Sequence, residues 1–236
     1  MSDALRRQAK AHLVVQVAGL PPDPIVWEHS CRVMKLTEMI AALPELASAA
    51  IDRSALSVAG LYHDAGWVLH AAANVVPPRE LLLRPTSDIQ RELAADWIEA
   101  HPPEGVSPGS LQRAARAIRQ CNDRRTDLIE ARILADAENL DEIGPQALYL
   151  MIRKTVADGR TSADMVSAWE RQEEYHYWQA RMKECFHFPA VREWAERRFE
   201  AMRRCMNDFK AGVRLEDLAG LASSRSPTNG KSKVGV

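Results

Sequence analysis

Apolar residues recur at spacings of three and four along almost the whole chain, and no alternating pattern long enough to form a strand interrupts them. A chain patterned this way buries its apolar surface by packing helix on helix, so the expected fold class is all-α. Prolines and glycines set the expected boundaries. A first helix covers residues 3 to about 17 and is closed by Gly19 and Pro21-Pro22, and Pro24 opens a second that runs to about residue 43. A third begins near residue 52 and ends at Gly66. The stretch 69–85, with three prolines, reads as loop or broken helix. Helices over 87–99, 107–120 and 126–142 follow, then two longer ones over 162–185 and 189–210. The chain thus divides into an N-terminal helix (1–19), a helical bundle with a C-terminal helical hairpin (20–212), and a tail (213–236) whose SSRSPTNGKSKVGV has the composition of a disordered segment.

Three of these helices carry a polar residue where the apolar stripe should continue. His29 falls in the stripe of Ile25, Val33, Leu36 and Ile40. Leu56, Ala59 and Gly60 lead along one face to His63, with Asp64 beside it. Asp136 sits in the middle of Ile129, Ile133, Leu140 and Ile143. Each is expected to point inward from its own helix. Burying an unpaired carboxylate costs several kcal/mol, so such groups must find partners. A lone histidine on an apolar face is more often a satisfied core residue, and Arg132 competes for Asp136 as an i,i+4 ion pair. It is the ordered combination H…HD…D that points to a divalent cation among the four.

The remaining composition narrows the function classes. Lysine and arginine (31) nearly cancel aspartate and glutamate (32), so no basic field marks the chain as a binder of nucleic-acid polymers. Cys31, Cys121, Cys185 and Cys205 form no CxxC pair, which argues against a disulfide framework or a zinc–thiolate site. MSDALRRQAK lacks the apolar core of a signal peptide, and no apolar run is long enough to span a membrane, so a cytoplasmic protein is expected.

The segments WEHSCRVMKL, AGLYHDAGW and EARILADAENLDEIGP resemble the HD superfamily of metal-dependent phosphohydrolases, and YWQARMKECFHFPAVREWAERRFEAMRRCMNDF resembles the helical hairpin of a bacterial HD subgroup. The resemblance covers roughly residues 20–212. It implies one divalent ion (Mn, Fe, Co, Ni, Zn or Mg) held by His29, His63, Asp64 and Asp136. It also implies phosphohydrolase activity on a small phosphorylated metabolite such as a nucleotide, by attack of metal-bound hydroxide on phosphorus, with Asp64 orienting the water. Dinuclear members add histidines in the stretches that here read RPTSDIQREL and AIRQCNDRRTD, and neither contains one; Cys121 or Asn122 stands where one would be expected.

Nucleotidase-like members carry a glutamate three residues after the HD aspartate, where this chain has Trp67. Either His70, Glu138 or Asp141 does that acid–base work, or catalysis is impaired and the chain is an HD module that binds a nucleotide or protein partner around a structural metal. Arg32, one turn after His29, either reaches a substrate phosphate or pairs with a neighbouring carboxylate. Arg124 and Arg125 are loop candidates for phosphate, and Trp27 and Trp67 candidates for stacking a base, against the ordinary roles of solvated loop charge and core aromatic. The apolar positions of the C-terminal hairpin suit either a homodimer face or packing on the main bundle.

Overall fold

The structure, a computed structural model, describes residues 3–219. Among them the chain forms α-helices, three short 3-10 turns and a single isolated β-bridge between Val15 and Asp23. The helices are α1 (Asp3–Leu13), α2 (Ile25–Ile40), α3 (Arg53–Tyr62), α4 (Ala65–Ala72), α5 (Asp88–Ala100), α6 (Pro108–Gln120), α7 (Ile129–Asp141), α8 (Ala147–Ala157), α9 (Ser162–Glu174), α10 (Tyr177–Glu184) and α11 (Pro189–Arg214). No helix among the described residues is long and apolar enough to cross a membrane.

The starts of these helices follow local chemistry. Asp52 caps α3 by accepting from Ala55 N–H, Ser87 and Gln90 form a capping box on α5, and Thr161 and Asp164 do the same for α9. Pro108 and Pro189 sit in the first turns of α6 and α11, where the missing N–H costs nothing.

α7 is the axis of the bundle. It packs against α2, α3 and α6 on one side and α11 on the other. Consequently it is buried almost all round, at Glu130, Ala131, Ile133, Leu134, Ala135, Asp136, Ala137, Leu140 and Asp141. α2 lies along α3, and Gly60 makes that closeness possible: a Cβ there would meet Met34 Cα at 2.9 Å. α4 crosses α5 at Gly66, where a Cβ would fall 2.1 Å from the carbonyl oxygen of Gln90. Beyond α7, α9, α10 and α11 enclose an aromatic cluster of Trp169, Trp178 and Phe199, with ring centroids 5.7 to 6.1 Å apart.

Several sequence expectations need correction. Gly66 does not stop a helix; the chain breaks at His63-Asp64, and Gly66 lies within α4, which runs to Ala72. The helix expected over 162–185 is two helices, α9 and α10, separated at His176 in a left-handed conformation (φ 52°). α1 ends at Leu13, because Val15 pairs with Asp23 instead of continuing the helix. Residues 213–219, assigned to a disordered tail, finish α11 and form a 3-10 turn; the tail from residue 220 lies outside the described residues.

Candidate metal centre

The HD dipeptide occupies the junction of two helices. His63 is the last helical residue beyond α3, its N–H bonded to Ala59 carbonyl at 2.9 Å. Asp64 leaves helical geometry (φ −104°, ψ 13°) to start α4. His29 comes across from α2 to meet them. His29 Nε2 lies 3.1 Å from His63 Nε2 and 3.3 Å from Asp64 Oδ2, and His63 Nε2 lies 3.5 Å from Asp64 Oδ2. All three residues are buried.

The other atoms of these side chains are already engaged, which fixes what faces the middle. His29 Nδ1–H donates to Asp141 Oδ2 at 2.8 Å, and His63 Nδ1–H donates to Gly60 carbonyl at 3.1 Å. With both Nδ1 protons spent, the two Nε2 atoms turn their lone pairs toward each other and toward a carboxylate oxygen. Three donor atoms converging with no proton between them repel. A divalent cation about 2.1 Å from each would place neighbouring donors about 3.0 to 3.4 Å apart, close to the 3.1, 3.3 and 3.5 Å found here. The donor set therefore fits a metal ion, with His29, His63 and Asp64 as holders.

Without an ion the cluster keeps one proton. Burial alone would lower His29, but its bonds to Asp141 and Asp64 push it up to about 10. Burial lowers His63. Burial would raise Asp64 and Asp141, but His63 and His29 hold the first, and His29 and Arg32 the second, well below the usual carboxylate range.

Surrounding side chains hold the ligands in place. Trp67 indole N–H donates to Thr86 Oγ1 at 2.8 Å, and Thr86 hydroxyl donates to Asp64 Oδ1 at 2.7 Å. Arg32 grips Asp141 through Nε and Nη2 at 2.8 and 2.9 Å. Arg91, 3% exposed, donates to Glu138 Oε1 at 2.7 Å and to Cys121 Sγ, and both Arg91 and Glu138 act on the charge of His63. Above this layer opens a cavity of about 530 Å³, lined by Thr86, Arg91, Cys121, Glu138, Tyr177 and Arg181 among others, which is within the size range of small-molecule sites.

Asp136 is not where the sequence put it. Its two carboxylate oxygens accept from His187 N–H (2.8 Å) and Phe188 N–H (3.0 Å) at the start of α11, and it does not join the cluster. Burial pushes its carboxyl up to about 7 against the opposing pull of those bonds. The carboxylate that α7 turns toward the site is Glu138, one helical turn before Asp141. Asp141, a candidate acid or base, is instead saturated by His29 and Arg32 and orients the imidazole. Arg32 is accordingly an ion-pair partner of Asp141 through Nε and Nη2. Trp67 is 2% exposed and supports Asp64 through Thr86 without lining the cavity.

His70 is half-buried on α4, and its side chain makes no hydrogen bond or ion pair to the cluster among the described residues. Arg124 and Arg125 are exposed on the α6–α7 loop, and Trp27 is packed against the core; none of the three lines the cavity. Sequence reasoning missed Arg91 and Thr86. Arg91 was detectable, since it interrupts the stripe Ala94, Ala95 and Ile98 on α5 as His29 interrupts its own. Thr86 lies in an aperiodic loop and gives no such signal.

The family model of the HD domain matches residues 26–143. Two solved structures are similar over about nine-tenths of the chain. A predicted HD superfamily hydrolase from an uncultured Thermotogales bacterium is 19% identical, with 89% of each chain covered and a TM-score of 0.51. Bacillus subtilis YpgQ, solved in complex with ADP, is 18% identical, with 90% of this chain and 98% of that one covered and a TM-score of 0.56. No curated protein matches the chain.

Proposed function

The chain belongs to the HD domain family, and from that premise we propose that it is a metal-dependent phosphohydrolase whose substrate is a small phosphorylated metabolite of the nucleotide class. The observation that carries this reading is the triangle of His29 Nε2, His63 Nε2 and Asp64 Oδ2, with both imidazole tautomers set by outer bonds. A bound divalent ion supplies Lewis acidity, polarising a phosphoryl oxygen and making water a stronger nucleophile at neutral pH. The protein's own groups do the rest. Thr86 and Trp67 fix the rotamer of Asp64, Asp141 and Arg32 fix His29, and Arg91 places a buried positive charge at the cavity floor. Glu138 offers a further carboxylate at that floor, either to the ion or to a proton in transit. The nucleotide class rests on the ADP bound to the Bacillus subtilis relative in fold and on a cavity of suitable size.

A second reading has an observation in its favour. The Arg91–Glu138 bridge and Cys121 stand between the cavity and the cluster, as they would in a module that binds its ligand without turning it over. Protein purified without chelator should be assayed for metal content and for phosphate release from a nucleotide panel with added Mn²⁺ or Co²⁺, with Asp64→Ala as control. Near one ion per chain with turnover lost in the variant supports the hydrolase. A bound ion with no turnover on any substrate supports the module, and no ion after reconstitution would sink both.

A further inference from the structure

The cavity above the metal cluster is not the end of the cleft. On the far side of Arg181 lies a second compartment of about 250 Å³, lined by Leu82, Leu83, Leu150, Met151 and Trp178 among others. The two spaces share Pro85, Glu142, Tyr177 and Arg181 as walls. The partition between them is the ion pair of Arg181 with Glu142, with Asn139 Oδ1 3.4 Å from the same guanidinium nitrogen. The side that faces the cluster is lined mainly by polar and charged residues; the other is walled by the leucines, Met151 and Trp178, with Arg84, Lys154, Glu142 and Arg181 also on its lining. Trp178 is 5% exposed, and its indole N–H has no hydrogen-bond acceptor in the protein. A buried unpaired donor costs about 1–3 kcal/mol, and an arriving ligand atom can recover that cost.

We propose that the second compartment takes the ring of the substrate, a planar heteroaromatic group with an acceptor on its edge, and that Trp178 and Arg181 sort substrates by it. The assignment rests on the phosphohydrolase reading for the direction of the substrate, with its phosphate toward the cluster. The volume is below the ~300 Å³ at which small-molecule sites begin, so the compartment suits one ring system and not a whole ligand. Apolar walls reward burial of the ring faces, and the Trp178 N–H rewards a ring nitrogen or carbonyl over a hydrocarbon. Arg181 stands where such a ligand passes from one space to the other, with a charge that Glu142 holds and a phosphate can share. Tyr177, Trp178 and Arg181 all belong to α10, outside residues 26–143 that match the family. The left-handed turn at His176 directs that helix along the cleft.

The test is calorimetric binding to the full chain of three probes: a purine nucleoside monophosphate, ribose 5-phosphate and inorganic phosphate. The nucleotide should bind at least about tenfold tighter than ribose 5-phosphate. Trp178→Phe, which keeps an aromatic ring of smaller size and deletes the donor, should weaken the nucleotide about three- to tenfold and leave ribose 5-phosphate unchanged. Leu150→Glu, which puts a charge in the compartment from α8 and leaves the side chains of α10 unchanged, should erase the nucleotide's advantage. Equal affinity of the wild-type chain for nucleotide and ribose 5-phosphate would overturn the proposal, and so would equal losses for both in Leu150→Glu. Ring-selective binding without turnover would leave the compartment standing and sink the hydrolase; turnover without ring selectivity would do the reverse.

Discussion

At the scale of single residues, the site depends on hydroxyl and indole groups that carry no charge. Thr86 gives its one hydroxyl proton to Asp64 and accepts from the Trp67 indole N–H. Thr86→Val keeps the shape and removes both bonds, freeing the carboxylate to rotate. Metal affinity should fall about 10- to 100-fold, read by competition with a chromophoric chelator, and the Trp67 N–H left without its acceptor should lower stability by about 1–3 kcal/mol. Tyr62 tests burial in the other direction. Its hydroxyl is buried without a partner, and burial pushes the phenol up to about 12. The folded value lies above the unfolded value of about 10, so folding favours the neutral phenol. Stability from this group is intact below about pH 10 and lost as pH rises toward 12, at up to about 1.4 kcal/mol per pH unit. Tyr62→Phe should be at least as stable at pH 8 and lose less on going to pH 11; equal alkaline losses in denaturant melts would refute the assignment. His29 was legible because a one-sided helix betrays an inward polar residue, whereas the HD pair, beyond a helix buried almost all round, was legible as a motif. Thr86 was not, since a loop has no period to violate.

At the scale of elements, the misplacement of Asp136 has a definite cause. A stripe identifies the inward face only for a helix with one buried side, and α7 is enclosed by α2, α3 and α6 on one side and by α11 on the other. The stripe of Ile129, Ile133, Asp136, Leu140 and Ile143 was read correctly as buried but matched to the wrong neighbour. It faces the start of α11, while Glu138 and Asp141 face the cluster. Asp136→Ala should therefore leave metal content near that of wild type and cost about 1–2 kcal/mol through the lost bonds to the α11 N-terminus. Asp64→Ala should do the opposite, losing the ion. Metal analysis and denaturant melts on the same two preparations decide it, and loss of the ion in Asp136→Ala would restore the reading from sequence. The break at His176 was invisible for another reason: a left-handed residue is usually flagged by glycine or asparagine, and here the position is histidine.

At the scale of the molecule, the helical class followed from the period of the pattern, whereas the charge balance of its centre required the folded chain. Asp64, Asp141 and Glu138 are met by His29, Arg32 and Arg91. The network is neutral only while His29 is protonated, so an ion entering the triangle has to replace that proton. Since His29 holds it up to about 10, each ion bound near neutral pH should release close to one proton. The affinity should then rise about tenfold per pH unit between roughly pH 6 and 9, and the protons should appear as a buffer-dependent binding enthalpy. Because the ion binds only the folded chain, a concentration 100 times its Kd should stabilise the whole bundle by about 2.7 kcal/mol. That corresponds to a rise in melting temperature of roughly 5–10 °C for a chain of this size. An affinity independent of pH, with the melting temperature still raised, would place the ion at some site other than His29, His63 and Asp64.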